Sequence, residues 1–497
     1  MKSLRLLSLA PCALVFAAAC SESTPDPIQP PPADAGTADA AIPDVPEPAM
    51  PCGDALAAIY GDPGPLASDP AQRGAVLKCS KDADISKEAL QAKLTEVGYK
   101  GKPVTSGARV YRVSYRTERG DAASTPSVSS AIVYVPTTPA AAKLPTVIAA
   151  RGSRGQGPDC AVSKLAAAAD SVNSDFYRLA YPLVGAGFAL IAPDLAGYAN
   201  FGAAGNPPSV YAGAADVGRS TLDGGRALKK LFPSLDDKVV IVGHSQGGHS
   251  ALASLALVDT YGTSGPIAGV AVYAPLWLSQ RTWGAALLSG ESGKPGREVG
   301  TSSIPAVVAW YHYTHAELLD GPGEGKKLFA AGKQDAVKDW VDTACWANYE
   351  KLKPLGKETL DLFDPAFAGA VRLAAAGVAQ CPDSDAVCKK WIARYVEDRP
   401  HLTGAAAQVP ILMLYGGKDE TIPPDRMKCG LDRLQEDKTK LTVCYDPELG
   451  HASILDARSD YVSEWIASIT TGAPAPAACP GNESQITEPC ATPPPND

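Results

Sequence analysis

Three features are missing from this chain, and each absence closes a class of function. No basic stripe runs through its 497 residues; the formal net charge is −9, and lysines and arginines are scattered, which argues against nucleic acid as a partner. No Cys-x-x-Cys pair stands with histidines at zinc spacing. His312 and His315 have helical spacing for two ligands but no partnering acid, so neither a metal nor another cofactor is implied. The apolar run over 6–16 is too short to span a bilayer.

What is present at the start reads as an export signal: Lys2 and Arg5, the apolar run, then Ala17-Ala18-Ala19-Cys20. Small residues directly before a cysteine resemble a bacterial lipobox, which would make Cys20 a lipid anchor at the cell envelope. The alternative is a plain secretory signal cut at the same alanines, giving a secreted or periplasmic soluble protein. Residues 21–50 hold eight prolines and six acids with no aromatic or basic residue, and are expected to form an extended tether. Setting Cys12 and Cys20 aside leaves ten of the 12 cysteines, an even set that reads as disulfides in an exported chain. The expected pairs are Cys429–Cys444, because a strand and its covering helix lie close, and Cys479–Cys490 and Cys52–Cys79 by proximity.

The body begins with a lead-in segment, 51–106, helical over 86–97. Strand signals then recur at 110–115, 127–135, 145–150, 187–192, 238–242, 269–273, 409–414 and 441–445. The later runs are uniformly apolar, as parallel strands covered on both faces should be. Helical patterns at 175–184, 217–231, 248–258, 425–436 and 458–469 fall between them. This alternation predicts a doubly wound α/β fold: a mostly parallel eight-stranded sheet with helices on both faces. The stretch 276–405 lacks a convincing strand and is helical by pattern at 325–331, 335–351, 365–376 and 386–396. It is read as an inserted cap that divides the core into 107–275 and 406–472. A Pro-rich tail, 473–497, closes the chain.

The chemistry gathers at Gly243-His244-Ser245-Gln246-Gly247-Gly248, where a β-branched run stops and a helix of small residues starts. This is the G-x-S-x-G elbow, which holds a serine hydroxyl out at a strained strand-to-helix corner. A serine needs a base, and the base an orienting acid. Asp419 falls in the Gly-rich turn after the seventh predicted strand, with Glu420 and Asp446 as reserve acids. Of the six histidines only His451 follows a strand, in the last loop before the final helix. The order Ser245, Asp419, His451 is that of the α/β-hydrolase layout. His249 reads as a packed core residue. The backbone N–H of Gln246 is one expected oxyanion donor; the other comes from Gly152 or Ser153 in the glycine-rich loop after the third predicted strand. Arg151 and Arg154 in that loop read as solvated surface residues.

Arg109-Val110-Tyr111-Arg112, Ser129-Ser130-Ala131-Ile132, Arg151-Gly152-Ser153, Ala192-Pro193-Asp194-Leu195-Ala196-Gly197-Tyr198 and Gly218-Arg219-Ser220 complete a pattern with the elbow. It resembles the secretory lipases related to fungal lipase A, over 107–275 and 405–470. That resemblance implies a capped α/β-hydrolase acting on carboxylic esters, with Ser245, Asp419 and His451 as its triad. His244, Leu195, Tyr198 and, from the cap, Trp310 are expected to contact the substrate. Arg151 stands where such lipases usually carry the histidine of His-Gly-Thr. The chain is therefore expected to be an exported, lipid-anchored serine esterase acting on a small-molecule or lipid ester. A serine peptidase of the same fold and a catalytically inactive surface binding protein are the alternatives.

Overall fold

The computed structural model describes residues 44–164, 174–199, 206–277, 279–288, 298–479, 481–487 and 490. The expected export segment, Cys20 and residues 21–43 lie outside them, and no described helix is long and apolar enough to cross a membrane.

One sheet organises the body. Its strands are β1 (Val76–Lys81), β2 (Ala108–Glu118), β3 (Pro126–Pro136), β4 (Thr146–Ala150), β5 (Leu190–Ala196), β6 (Val239–His244), β7 (Ile267–Tyr273), β8 (Pro410–Gly416) and β9 (Lys440–Asp446). They lie in the order β1-β2-β3-β5-β4-β6-β7-β8-β9, antiparallel from β1 to β5 and parallel from there on. The expected α/β-hydrolase fold is thus present, with one strand more than expected, so the elbow serine follows the sixth strand. Period-two alternation builds two cores on its faces. Val239 and Ile241 of β6 join the helices Ala214–Leu231, Gln246–Ala256 and Pro424–Glu436 on one side. Val240 and Val242 join Ser174–Gly185 and Ser453–Thr471 on the other. The order reverses between β5, β4 and β6, and in open α/β sheets such a reversal marks where ligands bind, outside the carboxyl ends of the strands.

The extra strand, β1, lies within the lead-in segment. It is an edge strand whose Lys78 and Lys81 are exposed, a composition that discourages pairing with another chain and hides the strand from a hydrophobicity search. The Cys52–Cys79 bridge ties it down, as expected. The segment expected to form a tether, 21–50, overlaps the body at its end. Glu47 pairs with Arg109 at 2.6 Å, and the Ala49 N–H donates to the Leu231 carbonyl at 2.7 Å, so 44–50 belong to the body.

The Cys429–Cys444 and Cys479–Cys490 pairings are incorrect. The bridges are Cys429–Cys490 and Cys444–Cys479. Strand alternation explains the error. Val443 and Tyr445 face the helix Pro424–Glu436 that carries Cys429, so Cys444 between them points to the opposite core. The tail reaches both cysteines because it is strapped over β9, the other edge strand, with the Tyr445 N–H donating to the Gly481 carbonyl. The remaining bridges are Cys160–Cys345 and Cys381–Cys388. Five disulfides among the described residues are the usage of a chain folded in an oxidising compartment.

The cap is helical. Its central helix, Ser303–Leu319, is apolar on nearly every face, and Gln280–Leu288, Gln334–Thr343, Pro365–Ala375 and Ala386–Glu397 accompany it. The patterns over 325–331 and 345–351 are 3₁₀ turns rather than α-helix. His312 and His315 use both ring nitrogens within the protein. The His312 Nδ1–H donates to the Val308 carbonyl, which leaves Nε2 to accept from the Tyr395 hydroxyl, so the buried ring is neutral. His315 bonds the Tyr311 carbonyl and the Asp398 carboxylate. Asp398 also accepts from the Ala214 N–H, and its carbonyl accepts from His249 of the helix that follows Ser245, latching cap to core.

Burial pushes the His312 pKa down to about 3. An unfolded imidazole takes up a proton near about 6.5. Between those values the unfolded state binds the extra proton, so stability falls as pH drops, by about 1.4 kcal/mol per pH unit from this group. Denaturant midpoints between pH 6 and 4.5 should therefore fall more steeply for the native chain than for His312→Gln. Equal slopes would refute this role for His312.

Candidate active site

The corner after β6 is strained in the way its sequence predicts. Ser245 has φ 56° and ψ −121°, a left-handed conformation rare for a residue with a Cβ. The neighbouring glycines make this possible. A Cβ on Gly243 would stand 2.1 Å from the Gly247 carbonyl oxygen, and one on Gly247 would stand 1.9 Å from that of Ala150. The serine thus occupies the N-cap position of the helix Gln246–Ala256 without a side-chain capping bond, at the end where a helix has N–H groups lacking intrahelical partners.

Asp419 and His451 arrive on the loops after β8 and β9. These loops are packed so closely that a Cβ on Gly416 would strike the Leu449 carbonyl oxygen at 2.1 Å. The Gly417 N–H donates to Asp446, and the Lys418 N–H to Leu449, each at 2.8 Å. Asp419 Oδ1 accepts from the N–H groups of Thr421 and Ile422 at 2.9 and 2.8 Å, which leaves Oδ2 to accept from His451 Nδ1 at 2.8 Å. The carboxyl is buried while the imidazole is partly open. Of the three candidate acids, Asp419 holds the imidazole. Glu420 is exposed, and Asp446 is paired with Arg458 at 2.6 Å.

His244 stands beneath this pair: its Nε2–H donates to the His451 carbonyl at 3.0 Å, and the two ring centroids are 4.6 Å apart. A strand end and a loop far apart in sequence are joined by this contact, and no spacing rule could have revealed it. Burial keeps His249 neutral, as a packed core residue should be.

The loop after β4 lies against the serine. A Cβ on Gly152 would be 3.6 Å from that of Ser245 and 3.3 Å from His244 Nδ1. Among the described residues, no protein acceptor takes the backbone N–H of Ser153 or Gln246. The Ser153 hydroxyl shares a hydrogen bond of 2.8 Å with Tyr211, a residue the sequence reading missed. Arg151 and Arg154 are buried, not solvated: Arg151 is only 3% exposed. A lone arginine in a glycine-rich loop looks like surface, but here backbone carbonyls supply the partners that let it be buried.

Leu195 and Tyr198 form a buried cluster behind this loop, with the Tyr198 hydroxyl donating to the Gly155 carbonyl. Trp310 is fully buried in the cap core, stacked on Trp340 at 4.9 Å. It approaches the loop through Tyr211, whose ring centroid lies 5.9 Å from its own. The bridge Cys160–Cys345 and the Trp346 N–H, donating to the Arg154 carbonyl at 2.8 Å, fasten the cap to the same loop.

Comparison with known proteins agrees with this architecture. The chain is 36% identical over 198 residues to a 2-hydroxy-6-oxononadienedioate/2-hydroxy-6-oxononatrienedioate hydrolase of Cupriavidus pinatubonensis (strain JMP 134 / LMG 1197). That match spans 39% of this chain and 62% of the relative's length. Candida antarctica lipase A in its closed state superposes with a TM-score of 0.59 at 15% identity, over 89% of this chain and 93% of that one. The ligand-bound rice cell wall degrading esterase LipA from Xanthomonas oryzae gives 0.56 at 17% identity, over 80% and 97%. At such identities these structures attest the fold. The model of the alpha/beta hydrolase family matches residues 167–465, more than half the sequence, and the chain belongs to that family.

Proposed function

We propose that the chain is an exported serine hydrolase that cleaves carboxylic esters through an acyl-enzyme. The observation that carries this reading is the Asp419–His451 hydrogen bond beside an elbow serine. Ser245 Oγ attacks the ester carbonyl carbon as its proton passes to His451 Nε2. The carbonyl π pair moves onto oxygen, where the N–H of Gln246 and one N–H of the 152–153 loop receive the charge. Collapse breaks the C–O bond, and His451 returns the proton to the departing alcohol. Water, activated by the same imidazole, then releases the acid. Asp419 stays ionised and holds the imidazole with Nδ1 protonated.

A panel of nitrophenyl esters of graded acyl length tests this reading, together with a fluorescent phosphonate whose adduct is located by peptide mapping. Turnover of at least one ester and labelling at Ser245 are expected. No turnover and no adduct would defeat the proposal. The Cupriavidus relative motivates a second arm with an oxo-dienedioate. Selective turnover of that compound would move the reading from esters to carbon–carbon bonds.

The lipobox-like segment supports anchoring at Cys20. Cys20→Ser is expected to turn a membrane-fraction protein into a soluble or unprocessed one. Unaltered protein found wholly soluble after export would argue for the plain secretory signal.

A further inference from the structure

Arg151 is a buried cation in a loop that has no catalytic use for a free guanidinium. We infer that Arg151 is a positioning residue that sets the second oxyanion donor by holding the Gly152–Ser153 peptide in one orientation. This deepens the hydrolase reading and rests on it.

The geometry is specific. Arg151 Nη1 donates to the Gly152 carbonyl at 3.0 Å, and Nη2 donates to the Asp194 carbonyl on β5 at 2.8 Å. The guanidinium also lies over the Tyr198 ring, 4.9 Å from its centroid. The Asp194 carboxylate, held by Ser130, the Ser163 hydroxyl and the Ser163 N–H, is the neighbouring counter-charge. The fork therefore has two fixed partners and a packed face, and little freedom to turn.

In a trans peptide the carbonyl and the following N–H point in opposite directions. With the Gly152 carbonyl drawn to Arg151, the Ser153 N–H faces away from the guanidinium, and no protein acceptor among the described residues takes it. A Cβ on Gly152 would stand 3.6 Å from that of Ser245, which sets this loop against the serine, and we assign the free N–H to that side. Ser153, rather than Gly152, is thereby the second donor. A charged donor on the carbonyl also polarises the peptide and strengthens its N–H. Without Arg151 the peptide next to glycine can rotate and turn its carbonyl toward the developing oxyanion. The Ser153–Tyr211 hydroxyl contact fixes the far side of the same residue.

The test compares Arg151→Met and Arg151→Lys with the native enzyme. Arg151→Met should lower kcat on the best ester by about 10²-fold, the usual cost of one oxyanion donor, with KM changed less than threefold. Affinity for a trifluoromethyl ketone, which forms a charged tetrahedral adduct with serine, should fall by a similar factor. Arg151→Lys should recover part of kcat, and added guanidinium should raise kcat of Arg151→Ala. Equal loss in kcat and in binding of an uncharged ester analogue, or no loss, would overturn the inference. Should these variants not fold, the native enzyme labelled with ¹⁵N-serine decides. The Ser153 amide proton should move downfield on adduct formation, and an unmoved signal refutes the assignment. If the native enzyme neither turns over an ester nor forms the adduct, the hydrolase reading itself fails, and Arg151's role with it.

Discussion

Ser245→Ala is expected to lower kcat on any ester substrate by about 10⁴-fold or more, with no change in the thermal midpoint. Ser245→Gly should lose as much activity yet melt higher. The native φ of 56° with ψ −121° is strained for any residue bearing a Cβ, by an order of 1–3 kcal/mol, and glycine relieves it. Asp419→Asn should approach the same loss by a different route. The asparagine carbonyl would keep the bonds from Thr421 and Ile422, so its NH₂ would be turned toward His451 Nδ1. Two donors cannot bond, and the imidazole would move its proton to Nε2, the atom that must accept from the serine. Asp446→Asn, whose partner is Arg458, should leave kcat within threefold. Steady-state kinetics with scanning calorimetry checks all four variants. Activity within tenfold of native for Ser245→Ala would remove the serine from the mechanism.

The elbow, the acid turn and the last-loop histidine were legible because each is a local signal: a strand end, a pair of glycines, a short polar turn. The sheet was legible for the same reason, except at its edges. β1 was hidden by its lysines, and the strap over β9 by its prolines, since edges are built from residues that avoid the look of a strand. The helix Ser303–Leu319 was not found because a helix buried on all sides has no amphipathic period. By sequence Arg151 looks like surface, and Trp310 looks like part of the substrate path. In both cases the deciding partners, Asp194 for one and Trp340 for the other, lie far away in sequence. Pairing Cys429 with Cys444 failed on a single residue of strand phase.

Breaking the Cys160–Cys345 bridge should have the largest effect on stability of any single tether in the molecule. It closes a loop of 185 residues, which in the chain-entropy model stabilises by about 5 kcal/mol. Cys381–Cys388 closes only 7 and should contribute about 2 kcal/mol by the same relation. The position matters as much as the length. Cys345 pairs with Gly155 as an isolated β-bridge, the Trp346 N–H caps the Arg154 carbonyl, and a Cβ on Gly157 would collide with the Asp342 carbonyl oxygen at 2.5 Å. The cap is thus fastened directly to the segment that begins with Arg151, Gly152 and Ser153. Its latch through Asp398 and His249 engages the helix that follows Ser245. A cap held at both points is expected to clamp the 151–155 loop rather than swing as a free lid. Cys160→Ser with Cys345→Ser should therefore lower both the denaturation midpoint and kcat, whereas Cys381→Ser with Cys388→Ser should lower the midpoint slightly and leave kcat alone. Measuring both quantities on a short ester separates the two contributions. A double variant that loses stability but keeps its full kcat would mean that Arg151 and Tyr211 suffice to hold the loop, and the bridge serves the fold alone.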